Sequence, residues 1–157
     1  MANRPSPTLL LSTSTTREGL ILYCFDHHQQ ADRRHEKIFS TIARDLADRD
    51  PKMRRALASA VQAASSLKKT ADIIQQWQKL LVELLWKSSG STAEPILIVI
   101  DALDESGEVE ARRDLLRILA GKHNPSVPKI TDLPGNFRFF VTFRPRARAT
   151  LQEIIAQ

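Results

Sequence analysis

The chain has a single cysteine, Cys24, among 157 residues. That excludes an internal disulfide and makes a reducing compartment the expectation. No apolar run approaches the length needed to span a bilayer. The N-terminal stretch MANRPSPTLLLSTSTTREG has only a very short apolar run and is a poor fit to a secretory signal. A cytoplasmic protein without a membrane partner is therefore expected. Although the net charge is +5, there is no long basic block. The arginines fall in scattered pairs (Arg33 and Arg34, Arg54 and Arg55, Arg112 and Arg113), and aromatics are not interleaved with them. Interspersed charge of this kind reads as solvated helix faces, so nucleic acid is not the expected partner. No internal repeat is visible. What remains is 42% hydrophobic and 26% charged residues, an ordinary soluble composition in a chain long enough for one cored domain.

Two short apolar runs stand out, Leu20–Phe25 (LILYCF) and Ile96–Ile100 (ILIVI). Neither alternates, which predicts strands buried on both faces, as in the middle of a parallel sheet. Phe137–Phe143 (FRFFVTF) reads as a third strand, and Leu9–Leu11 as a weaker candidate. Between them the spacing is helical. Ile38, Phe39, Ile42, Ala43 and Leu46 form one stripe. Asp50-Pro51 reads as an N-cap followed by proline at the first helical position, opening a weaker stripe of Met53, Leu57, Val61 and Ala64. Thr70 would cap a third helix carrying Ile73, Ile74, Trp77, Leu80, Leu81, Leu84 and Leu85, and Ser88–Thr92 would end it. Glu108–Ala120 predicts a helix with Val109, Leu115, Leu116, Ile118 and Leu119 inward and Gly121 as its stop. Residues 122–135 read as a loop and Thr150–Ala156 as a last helix. Strands joined by helical crossovers imply an α/β fold with three layers, a parallel sheet between flanking helices, and Ile96–Ile100 as its middle strand. The expected division is an irregular segment over 1–18 and one domain over 19–157.

Ligands in such sheets bind beyond the carboxyl ends of the strands, where Asp101 and Arg144 both fall. A carboxylate at the tip of a buried strand is costly unless it meets a cation or a hydrogen-bond donor. Mg²⁺ favours carboxylates, waters and substrate phosphates. Asp101 would hold Mg²⁺ through water, and Asp104 or Glu105 would orient or polarise an attacking water. The plainer alternative is that Asp101 and Asp104 cap the following helix. His27 and His28, with Asp26, Asp32 and His35 nearby, read as a polar turn rather than a metal site. Cys24 reads as a buried, inert thiol, and Trp77 and Trp86 as helix packing.

IVIDALDE, followed by a helix, a proline-rich loop and NFRFFVTFRP, resembles the Walker B and sensor-1 region of NACHT domains. These belong to the STAND branch of the P-loop NTPases, and the likeness is to fungal NOD-like receptors and the nephrocystin-type N-terminal NTPase domain. LILYCFDHHQQADRRHEKIFSTIARDLADRDPKMRRAL is similar to the family's second strand, basic turn and helix, and QQWQKLLVELLW to the helix before its Walker B strand. The resemblance covers about Gly19 to Ile155. It implies a cytoplasmic signalling module using Mg²⁺ and ATP. Asp101 would be the Mg²⁺ aspartate, Asp104 and Glu105 the acidic pair tied to hydrolysis, and Arg144 the sensor-1 arginine at the γ-phosphate, a contact that suits a guanidinium fork.

The chain departs from the family at two points. Phe143 stands where a small polar residue usually precedes the arginine. More seriously, no Gly-x-x-x-x-Gly-Lys-Ser/Thr occurs, so the Walker A residues are none; Ser12–Gly19 has hydroxyls but neither the glycine spacing nor the lysine. Losing two to four charge-assisted bonds at roughly 1.5–3 kcal/mol each removes at least ~4–6 kcal/mol, or about a thousandfold in affinity. The expectation is a partial NACHT-like module unable to bind or hydrolyse ATP alone. Two other readings stay open: an interaction module pairing with an intact NACHT protein or with itself, and a basic nucleic-acid-binding protein.

Overall fold

The computed structural model describes residues 20–24, 35–68, 70–88, 95–106, 109–144 and 152. Three parallel strands, β1 (Leu20–Cys24), β2 (Ile96–Asp101) and β3 (Phe137–Val141), lie in the order β1-β2-β3. β2 is the middle strand, as its unbroken apolar run predicts. Ile21 pairs with Ile98 and Ile98 with Phe139, and one step on Leu22 pairs with Val99 and Val99 with Phe140. Adjacent steps point to opposite faces.

The crossover from β1 to β2 is helical. It runs through α1 (Ile38–Arg49), α2 (Pro51–Ala63) and α3 (Ile73–Gln75), then a π-helical stretch (Gln76–Val82) leading directly into α4 (Glu83–Ser88). The crossover from β2 to β3 carries α5 (Val109–Leu119). α1 buries Ile38, Phe39, Ile42, Ala43, Leu46 and Ala47, matching its stripe. The Asp50 side chain accepts from Lys52 N with Pro51 in the first turn, so the junction of α1 and α2 forms as its sequence reads. Arg54 then donates to the carbonyls of Ala47 and Asp48, satisfying the end of α1. Only Met53 of the α2 stripe is fully buried. Asp72, not Thr70, caps α3 by accepting from Ile74 N and Gln75 N; Thr70 Oγ1 accepts from Asp72 N instead. α5 stops at Gly121, at φ +67, where Gly121 N bonds to Ile118 O and Lys122 N to Arg117 O. That is the Schellman pattern, and it needs the left-handed residue that glycine supplies. Val109, expected inward, is exposed, because it sits at the first position of α5 before the helix meets the core.

One core unites these elements. Ile21 and Tyr23 of β1, Ile98 and Ile100 of β2, Phe39, Trp77, Leu81 and Leu84 of the first crossover and Leu115 and Ile118 of α5 belong to a single buried cluster. Both crossovers therefore cover the same face of the sheet. A sheet that steps β1 to β2 to β3 in one direction through right-handed crossovers has to place them so. The expectation of strands buried on both faces is thereby corrected: β1 reads half-buried, buried, exposed, buried, half-buried, and Leu22, Leu97 and Phe140 of the other face are exposed. Among the described residues the helices form one layer on the sheet, so the expected third layer is not among them. The expected elements at Leu9–Leu11 and Thr150–Ala156, and the linker after Ser88, lie outside the described residues, apart from helical Gln152.

Candidate functional site at the carboxyl ends of the strands

The strand register brings together side chains that are far apart in sequence. Cys24 pairs with Asp101, and its Sγ–H donates to Asp101 Oδ2 at 3.5 Å. Thr142, the residue after β3, donates its hydroxyl to Asp101 Oδ1. Thr142 Oγ1 in turn accepts from Ala102 N at 3.1 Å, and Thr142 O accepts from Leu103 N at 3.0 Å. Asp101 is half-buried and each of its oxygens meets a protein donor, which is how a carboxylate at a strand tip is tolerated. Ala102 then reverses the chain in the left-handed region, at φ 55 and ψ 44. This turn starts the short 3₁₀ helix Leu103–Glu105 and swings Asp104 and Glu105 away from the strand axis.

Those two carboxylates close on Arg144. Its backbone N–H donates to Asp104 Oδ1 at 3.2 Å and its Nε to Asp104 Oδ2, while Nη2 donates to Glu105 Oε1 at 2.9 Å. Asp104 has a side chain only 10% exposed, whereas that of Arg144 is 68% exposed. Burial pushes the Asp104 carboxyl up, but the bonds from the Arg144 side chain and backbone outweigh it and hold the group below its ordinary 3.8. The bond to Asp104, and then the charges of Asp104 and Glu105, raise the Arg144 guanidinium above its ordinary value. The described bonds of Asp101 and Asp104 run to Thr142, Cys24 and Arg144 rather than to N–H groups of α5, so their partners are not those of helix caps.

The four residues singled out by sequence thus meet at one end of the sheet, in two linked groups: Asp101 on one side of the Ala102 turn, and the Asp104–Glu105–Arg144 cluster on the other. Sequence reasoning missed Thr142 and misjudged Cys24, which is half-buried and bonded to Asp101 rather than enclosed in apolar packing. The signal for both was strand parity. Cys24 and Thr142 lie an even number of residues from Leu22 and Phe140, so they share the Asp101 face. Beside the cluster, the hydroxyl of Ser106 is buried and has no partner among the described residues. No group of three or more His, Cys, Asp and Glu able to hold a metal occurs among them. The residues present fit Mg²⁺ in the water-mediated form, with Asp101 as a lone carboxylate, and do not fit an all-protein cage. Of the histidine group only His35 is described, in the turn before α1. Trp77 is packing, as expected, fully buried against Phe39 and Phe139. Trp86 is not: it is 57% exposed and donates to Asp132 O at 2.7 Å, tying the loop before β3 to α4.

No helix among the described residues is long and apolar enough to cross a membrane. Comparison with protein families gives a match to the model described as Nephrocystin 3, N-terminal, over residues 8–144. No curated protein and no solved structure matches.

Proposed function

Since the chain belongs to the nephrocystin 3 N-terminal family, we propose that it is the Walker B and sensor-1 part of a NACHT-like STAND signalling module, and that by itself it neither binds Mg·ATP tightly nor hydrolyses it. The carrying observation is the pairing of Arg144 with Asp104 and Glu105 in a chain without a Gly-x-x-x-x-Gly-Lys-Ser/Thr loop. Asp101, steadied by Thr142 and Cys24, is the residue that would hold Mg²⁺ through water. The ion would neutralise phosphate charge when bound with nucleotide. Asp104 and Glu105 would orient a water, and Arg144 would meet the terminal phosphate after exchanging its carboxylate partners for it. Three carboxylates repel a polyphosphate, and the sequence has no Gly-x-x-x-x-Gly-Lys-Ser/Thr loop to offset them. The location proposed is cytoplasmic.

Calorimetric titration with Mg·ATP and a phosphate-release assay test this reading on the wild type and on Asp101→Ala and Arg144→Ala. The expected result is millimolar or weaker binding and background release in all three. Micromolar binding abolished by either substitution would overturn it and assign a phosphate cradle to Ser12–Gly19.

A second reading rests on the sheet edge. Among the described residues no strand pairs with the far side of β3, and unpaired strand edges accept further strands. We infer an interaction role for this edge, with an intact NACHT-type partner or with a second copy. Sedimentation over a wide concentration range, alone and with such a partner, tests it; a constant monomer mass in every mixture would rule it out.

A further inference from the structure

The side of β3 away from β2 has a definite pattern of donors and acceptors. Ile96 N bonds to Asn136 O, and Thr142 N to Ile100 O. In a parallel ladder a residue that bonds to a neighbouring strand directs both its backbone groups there, and the next residue directs both away. Arg138, Phe140 and Thr142 therefore serve β2, and the N–H and C=O groups of Phe137, Phe139 and Val141 point to the opposite side. Those of Phe137 are already used. Its N–H donates to Pro134 O at 3.0 Å, and Arg138 Nη1 donates to Phe137 O at 2.8 Å. A charged side chain turned onto an edge carbonyl closes that part of the edge. Phe139 and Val141 are left, and no strand among the described residues pairs with them on that side. Between them stands Phe140, at 58% the most exposed large apolar side chain among the described residues.

We propose that this edge takes a second copy of the chain, added antiparallel about a two-fold axis through Phe140; this rests on the interaction role inferred above for the β3 edge and narrows it to one partner. On that axis Phe139 lies opposite Val141 of the second copy. The two exchange both N–H···O bonds, and symmetry repeats the exchange. Phe140 falls between these bonded pairs, directly opposite its own copy in the non-bonded position, where Cα atoms come within about 4.5 Å. Aromatic pairs across strands are favourable, and this one takes the exposed ring out of water. Arg138 comes opposite Thr142 of the second copy, beside the Asp101 to which that threonine is bonded, so a cation meets a carboxylate at both ends. Neighbouring axes fit worse. One through Phe139 sets Val141 against the capped Phe137, and one through Val141 sets Arg138 against Arg144. Few residues pair, so the contact is small and the association weak and concentration-dependent.

Cysteine trapping and sedimentation of the full chain test the proposal. Cys24→Ser removes the native thiol and keeps an O–H donor for Asp101. In that background Phe140→Cys puts the new thiols on the axis, within the Cα range of about 4.4–6.8 Å that a disulfide needs. Arg138→Cys puts them about 14 Å apart along the strands, at ~3.4 Å per residue, and Leu22→Cys puts them on β1, away from the axis. The expected result is a disulfide-linked dimer for position 140 and none for 138 or 22, with the wild-type mass rising with concentration. Two variants should weaken the dimer at least about tenfold and stay folded by circular dichroism. Phe140→Lys sets like charges directly opposite each other. Val141→Pro deletes an edge N–H that does not serve β2. A chain that is monomeric alone but binds an intact NACHT-type partner, more weakly as Phe140→Lys, would overturn the second copy and keep the edge. A monomer in every mixture would overturn both. A dimer linked through position 22 or 138, or indifferent to both variants, would put self-association elsewhere and overturn the proposal as well.

Discussion

Asp104 is the titrating hinge of the site. Its carboxyl is held below 3.8 in the folded chain, by bonds from Arg144 that outweigh the opposing effect of burial. A carboxyl whose folded value lies below its unfolded value stabilises fully above the unfolded value. It loses that contribution as the pH falls below about 3.8 and through the folded value. Asp104→Asn should therefore lower stability at neutral pH and flatten the acid limb, so that the two proteins converge at the acid end. Thermal melts across the acid range check this, and added salt should shrink the gap because Arg144 is exposed. A second residue-scale prediction concerns Gln76, 1% exposed amid an apolar helix face. Its Oε1 accepts from Ser40 N at 3.0 Å, and its Nε2 donates to Thr70 O at 2.8 Å and to Glu36 O. Gln76→Met keeps the volume and strands those three backbone groups, so a loss of about 2–4 kcal/mol is expected in urea denaturation. The acidic residues and Arg144 were legible from the sequence because strand-end carboxylates break an apolar run. Gln76, Cys24 and Thr142 were not, since their partners are set by packing and register rather than by neighbours in the chain.

At the scale of elements, hydrophobic period found every described strand and the principal helices, and it failed where backbone geometry changes. Gln76–Val82 is π-helical, and its wider turn lets Gln76, Trp77, Leu80, Leu81 and Val82 all bury where a regular 3.6-residue period selects only Trp77, Leu80 and Leu81 of these. Burial of the strands was misjudged because an unbroken apolar run records what a strand is able to face. Which face the crossovers cover follows from strand order, which no single run contains. The turn at Ala102 was equally invisible, since alanine carries no mark of a left-handed backbone. Its φ of 55 costs an L-residue about 1–2 kcal/mol. Ala102→Gly should therefore be tolerated to within about 0.5–1 kcal/mol, its greater unfolded-state freedom offsetting the relief, whereas Ala102→Val should cost at least about 1–2 kcal/mol. Chemical denaturation of the pair reads the order, and a valine variant as stable as the glycine variant would contradict the turn.

For the molecule as a whole, Trp77 is where the layers meet. It is fully buried, 5.1 Å from Phe39 of α1 and 5.9 Å from Phe139 of β3 by ring centroids, and its Nε1–H donates to Pro128 O at 2.7 Å. One side chain thus links the first crossover, the sheet and the loop that delivers β3, and through β3 the placement of Thr142 and Arg144. Trp77→Phe keeps an aromatic ring between Phe39 and Phe139 but leaves the Pro128 carbonyl without its donor, an expected loss of about 1–3 kcal/mol. Trp77→Ala also empties the space, with an expected loss of about 3–5 kcal/mol. That is a large fraction of the ~5–15 kcal/mol that holds a domain together, so the alanine variant should melt well below the wild type. Exposed Trp86 serves as the internal control: Trp86→Phe removes its bond to Asp132 O but keeps an aromatic ring at a surface position, and should leave a folded chain with a nearly normal melt. Melting curves for the four proteins, followed by circular dichroism, place them in the order wild type, Trp86→Phe, Trp77→Phe, Trp77→Ala. If Trp77→Ala melted as high as Trp86→Phe, the sheet and its helices would be held together by contacts other than those at Trp77.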